Sequence, residues 1–302
     1  MNKKDRSTLR LDDVRGWWET DIVDIAPGSI RIRGYAIEEL IGNISFPAMI
    51  WLVLRGELPS KQQADLFGAV LVSAVDHGPQ APSIAVARMA ATCGLGLNGA
   101  MASGVNTLGD VHGGTGQQCM ELLQDVDARH VAGLEEDAAA EEAIAAYQER
   151  CGAFIPGYGH RFHPVDPRAV RLSELVRESR ETGGVSGRYL VAREAVQPVL
   201  SRGKAKPLPM NIDGITAVVL LELGFPAELG RGIFILSRSV GICAHAFEQS
   251  RQGERIKGPT PPGCGFRYRG PAPRSLPASI RKSPRAQRPS PRTCDPSQTA
   301  QA

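Results

Sequence analysis

The sequence is poor in aromatic residues, and it has no long hydrophobic run and no pair of cysteines spaced to hold a metal ion. Its 302 residues include 8 Phe, 5 Tyr and 3 Trp, so a core must rest on Ala, Val, Leu and Ile. The most apolar runs, such as Ala217–Leu221, are far shorter than a membrane span. We therefore expect neither an aromatic-rich core nor a membrane-spanning architecture.

Cysteine usage excludes further classes of protein. No C-x-x-C pair occurs, and no Cys/His spacing suits zinc. A secreted disulfide scaffold has a shorter chain with denser cysteines, and the N-terminal residues lack the apolar stretch of a signal peptide. We expect a soluble cytoplasmic protein without bound metal, in which the cysteine thiols are reduced and mostly buried: Cys93, Cys119, Cys151, Cys243, Cys264 and Cys294.

Charge is distributed unevenly along the chain. The formal net charge is +3, but residues 271–302 alone carry six basic residues and one acidic residue. The body is slightly acidic, which argues against a nucleic-acid-binding protein. Seven of the 32 tail residues are Pro, and this composition predicts disorder. Since no aromatic residue follows Tyr268, a solvated, dispensable tail is favoured over one that binds RNA or anionic lipid.

Apolar periodicity predicts a predominantly α-helical body. Apolar residues recur at intervals of three and four over Ile37–Ile44, which is one face of a helix. Ser60 and Gln63 fit a capping box at the start of another helix. Residues 134–150 are acidic and Ala-rich, as in a solvent-facing helix. Short alternation over Asp21–Ile30 indicates a small strand or hairpin.

Polar residues that are flanked by glycine and interrupt the helical patterns are the candidates for catalytic or binding residues. Each such stretch can also be an ordinary helix cap or turn, so none of them identifies a site alone. Four stretches qualify: Asp76–Gly78, Val111–Gly114, Ile155–Arg161 and Met210–Asp213.

Three of these stretches suggest distinct roles. His112 is followed by two glycines, which favours an imidazole at an inter-helix turn that faces a cleft. The loop Ile155–Gly159 cannot be helical, and we expect it to expose backbone groups suited to an adenine edge or a phosphate. Asp213 is a candidate N-cap of the following helix or, if buried, a general base with a shifted pKa.

Two arginines call for anionic partners. Asp166 is the expected N-cap of a helix that begins at Pro167, and Arg168 lies in its first turn, where the helix dipole disfavours a cation. Arg238 interrupts an otherwise apolar helix, and burying it without a partner is costly. Together with the histidines and Asp213, these groups suit the enolisation of a thioester beside a polycarboxylate.

Six segments in a fixed order give a family resemblance. The sequence resembles the citrate synthase superfamily from about Arg31 to about Arg274. The resemblance implies an α-helical homodimer whose large and small domains close over the substrate. The segments are RIRGYAIEELIGNISFPAMIWLVLRGELPS, VDHGPQAPSIAVAR, VHGGTG, FIPGYGHRFHPVDPR, MNIDGITA and SRSVGICAHAFEQ.

The same resemblance implies a domain division: an N-terminal segment (1–30), a large domain (31–114 and 211–270), a small domain inserted into it (115–210) and the tail (271–302).

The resemblance also implies residue roles. His112 would donate a hydrogen bond to the thioester oxygen, Asp213 would exchange the methyl proton, and His160 would bind the carbonyl oxygen of oxaloacetate. No permanent cofactor is implied, because the coenzyme A thioester is a substrate. Substrate carboxylates would be bound by His77, Arg168 and Arg238, and the coenzyme A adenine by the backbone of Ile155, Pro156, Gly157, Tyr158 and Gly159.

Three departures from the family pattern direct the choice of reaction. The chain is short for a citrate synthase, Gly78 follows His77 where a glutamate is usual, and no arginine aligns with the one that reaches the partner's site. Arg255 or Lys257 could replace that arginine. The short form resembles citryl-CoA lyases, which cleave citryl-CoA to acetyl-CoA and oxaloacetate. A citrate or 2-methylcitrate synthase and a non-catalytic acyl-CoA-binding protein are the alternatives.

Overall fold

Helices dominate the architecture. A computed structural model describes residues 17–160, 163–204, 206–277 and 279–280. Within these ranges eleven helices follow a small sheet, which confirms the predicted helical class. The helices are α1 (Ile37–Leu40), α2 (Phe46–Arg55), α3 (Lys61–Ala74), α4 (Pro82–Thr92), α5 (Leu97–Val105), α6 (Thr115–Val131), α7 (Glu136–Cys151), α8 (Pro167–Glu181), α9 (Arg188–Ser201), α10 (Ile212–Glu222) and α11 (Glu228–Arg251).

The sheet has three short antiparallel strands, β1 (Val23–Ala26), β2 (Ser29–Ile32) and β3 (Tyr35–Ala36). The β1–β2 hairpin turns at Gly28, whose φ of +77° is a conformation that glycine adopts without strain. The hairpin predicted over Asp21–Ile30 is confirmed, whereas the third strand was not predicted.

Local sequence signals predicted the helix starts better than the helix ends. At the start of α3, the Gln63 amide donates to Ser60 Oγ at 3.2 Å and the Ser60 amide donates to Gln63 Oε1 at 2.9 Å, so the capping box is confirmed. The helix predicted over Ile37–Ile44 is wrong beyond Leu40. Ile41 is extended with ψ of 120°, and Gly42 has a φ of +82°.

Helix α7 is not wholly solvent-facing, which corrects the prediction for residues 134–150. Its acidic residues are largely exposed, but one face is buried against α6 and α9. Small side chains allow this close approach, and the buried residues are Ala139, Ala140, Ala143, Ile144 and Tyr147.

The main core surrounds α10, in which eight of eleven residues are buried. The rings of Trp51, Phe67 and Phe225 pack beside it with centroids 4.9 to 6.0 Å apart. Each such ring contributes about 1.5–3 kcal/mol when fully buried. A smaller core joins α4, α5 and α11, where a Cβ on Gly104 would lie 2.7 Å from the Ser83 carbonyl oxygen.

The chain divides into two compact units, of which the first ends at Pro259 and the second begins at Thr260. In the second unit the described residues are exposed and form neither helix nor strand. The predicted disorder of residues 271–302 falls mostly outside the described ranges. That disorder stays a prediction, as does the division of the body into a large and a small domain.

The thiols are less buried than expected. In the described ranges Cys93, Cys151 and Cys264 are exposed, Cys243 is half-buried and only Cys119 is buried. All five are free, and Cys294 lies outside those ranges. The prediction of mostly buried thiols is therefore wrong. None of the described helices is both long and apolar enough to cross a membrane.

Candidate active site

His112 is held in the turn between α5 and α6 by its contact with α4. The Gly109 amide donates to the His112 carbonyl oxygen at 2.9 Å, and Gly113 has a φ of +101°. The Ser83 amide donates to His112 Nε2 at 3.2 Å. Because a backbone amide only donates, Nε2 must be the acceptor, and the ring proton of the neutral imidazole lies on Nδ1.

The electrostatic surroundings of His112 favour this neutral state. Burial lowers the pKa of His112 below its usual range, and the positive charge of Arg238 lowers it further. The imidazole is therefore a neutral hydrogen-bond donor through Nδ1 at neutral pH.

Asp213 occupies the first turn of α10, but it is not the N-cap. Asn211 caps the helix, and its Oδ1 accepts from the amides of Asp213 at 2.9 Å and Gly214 at 3.2 Å. The prediction that Asp213 caps this helix is therefore wrong. Burial raises the pKa of Asp213, and the charges of Arg168 and Arg238 only partly offset this. A carboxyl group in this state can hold and transfer a proton.

The loop Ile155–Gly159 is packed inward, contrary to expectation. Ile155, Pro156, Gly157 and Tyr158 are buried. The Asn211 amide donates to the Gly157 carbonyl oxygen at 2.9 Å, and Asn211 Nδ2 donates to the Gly159 carbonyl oxygen at 2.7 Å. The prediction of exposed backbone groups is wrong for these residues.

Close packing explains the glycine at the centre of this loop. Gly157 has a φ of +83°, and a Cβ there would lie 2.6 Å from Cys119 Sγ and 2.7 Å from Gly214 Cα. The loop is thereby seated against α6 and the start of α10.

Three imidazoles meet where this loop ends. The ring centroid of His160 lies 5.6 Å from that of His77 and 4.7 Å from that of His163. The His163 amide donates to His160 Nδ1 at 3.1 Å, which places the proton of neutral His160 on Nε2. His163 was not predicted as a site residue, although its spacing of three residues from His160 was a usable signal.

The same cluster could supply three metal ligands. Ligand atoms of His77, His160 and His163 lie within 4.8 Å of one another. After burial, Arg168 is the largest contributor to the lowered pKa of His77, and Arg238 adds to it. The positive potential that disfavours an imidazolium also disfavours a divalent cation, so the surroundings favour an anion over a metal ion.

Arg168 has an anionic partner within the chain. Its Nε and Nη2 donate to the two carboxylate oxygens of Asp166 at 3.0 and 2.9 Å. Burial alone would raise the pKa of Asp166, but the hydrogen bonds and charge of Arg168 hold it below its usual range. Asp166 also accepts from the Ile212 amide at 3.3 Å, which ties α8 to α10. Asp166 therefore supplies the charge compensation that was expected from a substrate carboxylate.

Arg238 is only 4% exposed, yet no described carboxylate lies within ion-pair distance. Its Nε donates to the Ala74 carbonyl oxygen at 2.9 Å, and its Cζ lies 4.9 Å from the ring centroid of Phe234. Burial lowers the pKa of Arg238, against the opposing charges of Asp76 and Asp213. The expected protein anion is absent at contact distance, so this cation remains suited to an anionic ligand.

A chain of polar contacts holds the segment that carries His77. Arg88 Nη1 donates to His245 Nδ1 at 3.0 Å, so the His245 proton lies on Nε2, 3.3 Å from Asp76 Oδ1. Asp76 Oδ2 also accepts from the Gly78 amide at 3.2 Å. Sequence reasoning missed His245 as a supporting residue, although it lies in the segment SRSVGICAHAFEQ.

The two arginines show which predicted residues share one neighbourhood. The charge of Arg238 acts on His77, His112 and Asp213. The charge of Arg168 acts on His77, His160 and Asp213. Groups far apart in sequence thus surround one positively charged region that contains a neutral imidazole donor and a carboxyl group of raised pKa. This arrangement can bind a carboxylate and stabilise an enolate oxygen.

Comparisons with known proteins agree with this geometry. Residues 15–71 and 62–260 match the family model "Citrate synthase, C-terminal domain". The chain is 30% identical over 227 residues to a citrate synthase of Haloferax volcanii, covering 74% of this chain and 57% of that protein. It is 29% identical over 229 residues to a citrate/2-methylcitrate synthase of Bacillus subtilis, covering 75% and 58%. The chain therefore spans little more than half the length of these curated relatives.

Solved structures of other proteins are also similar to this chain. The structure of citryl-CoA lyase from Hydrogenobacter thermophilus superposes with a TM-score of 0.77 and 34% identity, covering 88% of this chain and 99% of that one. ATP citrate lyase from Methanothrix soehngenii, in complex with citrate and coenzyme A, gives a TM-score of 0.70 at 21% identity, covering 87% and 45%. The second likeness is one of fold.

Proposed function

The chain belongs to the citrate synthase family, and from this premise we propose that it is an enzyme that cleaves citryl-CoA to acetyl-CoA and oxaloacetate. The observation that carries the proposal is the state of His112. Its Nε2 accepts from the Ser83 amide, so Nδ1–H is the group available to a ligand oxygen. A neutral imidazole that donates to a thioester oxygen stabilises the charge that develops on it.

In the proposed reaction the bond breaks between the hydroxyl-bearing carbon and the methylene carbon of the thioester. The electron pair moves toward the thioester oxygen, where His112 stabilises the enolate. Asp213 then gives its proton to the methylene carbon, and its raised pKa favours the protonated form that this step needs. The hydroxyl oxygen becomes the carbonyl oxygen of oxaloacetate, and its proton passes to solvent.

The remaining predicted residues bind the rest of the substrate. His160 carries its proton on Nε2 and donates to the hydroxyl or carbonyl oxygen of the oxaloacetate moiety. His77, Arg168 and Arg238 bind its carboxylates. We assign the coenzyme A adenine to the loop Ile155–Gly159, whose burial means that the loop must move when the adenine binds.

Two observations favour cleavage over the synthase reaction. The citryl-CoA lyase structure shares 34% identity over 99% of its chain. Lys257, one candidate to replace the partner-reaching arginine, is already engaged, because its Nζ is paired with Glu254 at 2.6 Å. The second candidate is a citrate or 2-methylcitrate synthase, which the names of the curated relatives favour.

A coupled assay tests the proposal. Oxidation of NADH by malate dehydrogenase after addition of citryl-CoA is expected to report oxaloacetate. Release of free CoA from acetyl-CoA and oxaloacetate would instead assign the synthase reaction. If neither activity occurs and Asp213→Ala binds coenzyme A like the wild type, the chain is a non-catalytic acyl-CoA-binding protein.

We also propose the homodimer that the family resemblance implies. Helix α11 presents Leu236, Val240 and Phe247 at helical spacing, with 46%, 59% and 53% of their surfaces exposed. Such a stripe suits burial against a second copy. Sedimentation of the wild type is expected to give a dimer, and Val240→Glu a monomer; a monomeric wild type would contradict this proposal.

A further inference from the structure

A cavity of about 510 Å³ lies between α8, α9 and the segment that follows α9. Its volume falls within the range of about 300–1,000 Å³ that is usual for small-molecule sites. Arg177 of α8 and Arg193 of α9 line it, together with Gln197, Ser201 and Pro207. None of these residues belongs to the catalytic or substrate-binding set described above.

Two nitrogen atoms of the Arg193 guanidinium lack hydrogen-bond partners among the described residues. Its Nε and Nη1 are sealed from solvent, and no hydrogen-bond acceptor reaches either atom within the described part of the chain. Burial lowers the pKa of Arg193, and the neighbouring charge of Arg177 lowers it further. Buried polar groups are almost always hydrogen-bonded, so this cation is an exception that calls for an external acceptor.

A second buried hydrogen-bond donor lacks a partner among the described residues. The Tyr158 hydroxyl is buried, and it too has no hydrogen-bond partner among the described residues. Burial raises the pKa of Tyr158 well above 10.0, so the hydroxyl keeps its proton. Arg193 and Tyr158 act electrostatically on each other.

The other polar groups of the cavity are already engaged or face solvent. Ser201 Oγ donates to the Gln197 carbonyl oxygen at 2.8 Å and accepts from the Leu208 amide at 3.1 Å. Glu194 lies 3.9 Å from Arg177 Nη2 on an exposed rim, and it forms no ion pair with Arg193. In the described part of the cavity no protein acceptor bonds to Arg193 Nε or Nη1, although the Glu194 carboxylate acts on Arg193 by its charge.

We propose that this cavity binds the phosphate group of an organic phosphate through Arg177 and Arg193. A phosphate presents several strong acceptors, and the planar guanidinium fork matches it with two parallel hydrogen bonds. The volume leaves room for the organic group attached to the phosphate. Two sources share this chemistry: a phosphate of the coenzyme A substrate itself, and a separate nucleotide.

Calorimetric titration of the full chain tests the proposal with coenzyme A, 3′-dephospho-coenzyme A, ADP and inorganic phosphate as probes. Arg193→Gln and Arg177→Gln are each expected to weaken binding of coenzyme A or ADP at least tenfold. The matched control is Arg171→Gln, because Arg171 is an exposed arginine of α8 that pairs with Glu174. Its effect is expected to stay within twofold.

The probes distinguish the two sources. Weak binding of dephospho-coenzyme A to the wild type, combined with a coenzyme A defect in both variants, assigns the site to the 3′-phosphate of the substrate. Tight ADP binding that both variants lose, with coenzyme A affinity unchanged, assigns it to a separate nucleotide. The proposal is overturned if only inorganic phosphate binds, or if coenzyme A and ADP bind both variants like the wild type.

Thermal unfolding shows whether a variant has lost binding only because it is misfolded. Since Arg193 Nε and Nη1 have no partner among the described residues, Arg193→Gln without ligand is expected to unfold at the wild-type temperature or above it. Arg177→Gln keeps the test decisive in any case, because 53% of that side chain is exposed and its loss does not threaten the core. These binding readouts need no turnover, so they succeed or fail independently of the citryl-CoA assay.

Discussion

The catalytic region and the α8–α9 cavity both contain arginines with buried atoms, but the arginines are satisfied differently. In the catalytic region Arg168 shares two hydrogen bonds with Asp166, and Arg238 has a backbone carbonyl and a ring face. In the cavity, Arg193 Nε and Nη1 have no acceptor among the described residues. The fold completes Arg168 with a carboxylate, whereas Arg238 and Arg193 lack one among the described residues and are therefore available to an anionic ligand.

The largest effect is expected from breaking the completed pair. Asp166→Asn keeps a capping oxygen for α8 but leaves Arg168 without its carboxylate. We expect the free energy of unfolding to fall by about 3 kcal/mol, the lower end for a broken buried ion pair. Urea denaturation measures this change. Glu174→Gln, which breaks an exposed pair with Arg171, is expected to cost at most about 1 kcal/mol; equal losses in the two variants would refute the distinction.

A second variant tests the incompletely satisfied cation of the catalytic region. Arg238→Gln is expected to weaken oxaloacetate binding roughly 10- to 100-fold, because a hydrogen bond to a charged group contributes about 1.5–3 kcal/mol. Calorimetric titration measures the affinity. The control is Arg231→Gln on the same helix, where Arg231 pairs with the exposed Asp110. Unchanged affinity in Arg238→Gln would remove this residue from the substrate site.

Acidification is expected to change the stability that the histidines contribute but not the stability that depends on Arg193. Burial lowers the pKa values of His77, His112 and His160 below 6.5, so the unfolded chain binds protons first as the pH falls. Stability is therefore lost as the pH falls through about 6.5. The raised pKa of Asp213 acts in the opposite direction.

Arg193 does not titrate in this range. The difference in unfolding free energy between Arg193→Gln and the wild type should therefore stay constant from about pH 8 to pH 5.5, while both proteins lose stability. Denaturant titrations at several pH values measure this. A difference that varied with pH would mean that the cavity and the histidines are coupled.

The smallest effect on the free energy of unfolding is expected from substitution of Tyr158. Tyr158→Phe removes a buried hydroxyl that has no partner in the described structure, so we expect a change between zero and about 1 kcal/mol of stabilisation. Tyr147→Phe is the matched control, because the side chain of Tyr147, a buried residue of α7, interacts with that of Cys151. Urea denaturation should show a small loss for the control; a comparable loss in Tyr158→Phe would reveal a partner for its hydroxyl.

Sequence reasoning predicted the features that depend on neighbouring residues. The capping box at Ser60 and the N-cap Asp166 are local hydrogen bonds, and both occur as predicted. At the start of α10 the choice among Asn211, Asp213 and their neighbours was not decided by residue type alone. Asn and Asp are almost equally good N-caps, and the tertiary hydrogen bonds of Asn211 select it.

The features that were missed depend on contacts between distant segments. The tautomer of His112 follows from an amide 29 residues away, and no spacing rule encodes that contact. The inward packing of Ile155–Gly159 likewise results from Asn211. His163 acts through His160 and His245 acts through Asp76, so the folded structure was needed to show what each of them contacts.

The hydrogen bond between the Ser83 amide and His112 connects the N-terminus of α4 to the candidate active site. That amide is one of the donors that a helix N-terminus leaves unsatisfied, so the imidazole of His112 acts as a cap of α4. Protonated His112 would present a second donor to the same amide, and the first turn of α4 would loosen. The rate of hydrogen exchange at the Ser83 amide therefore reports whether the His112 ring is charged.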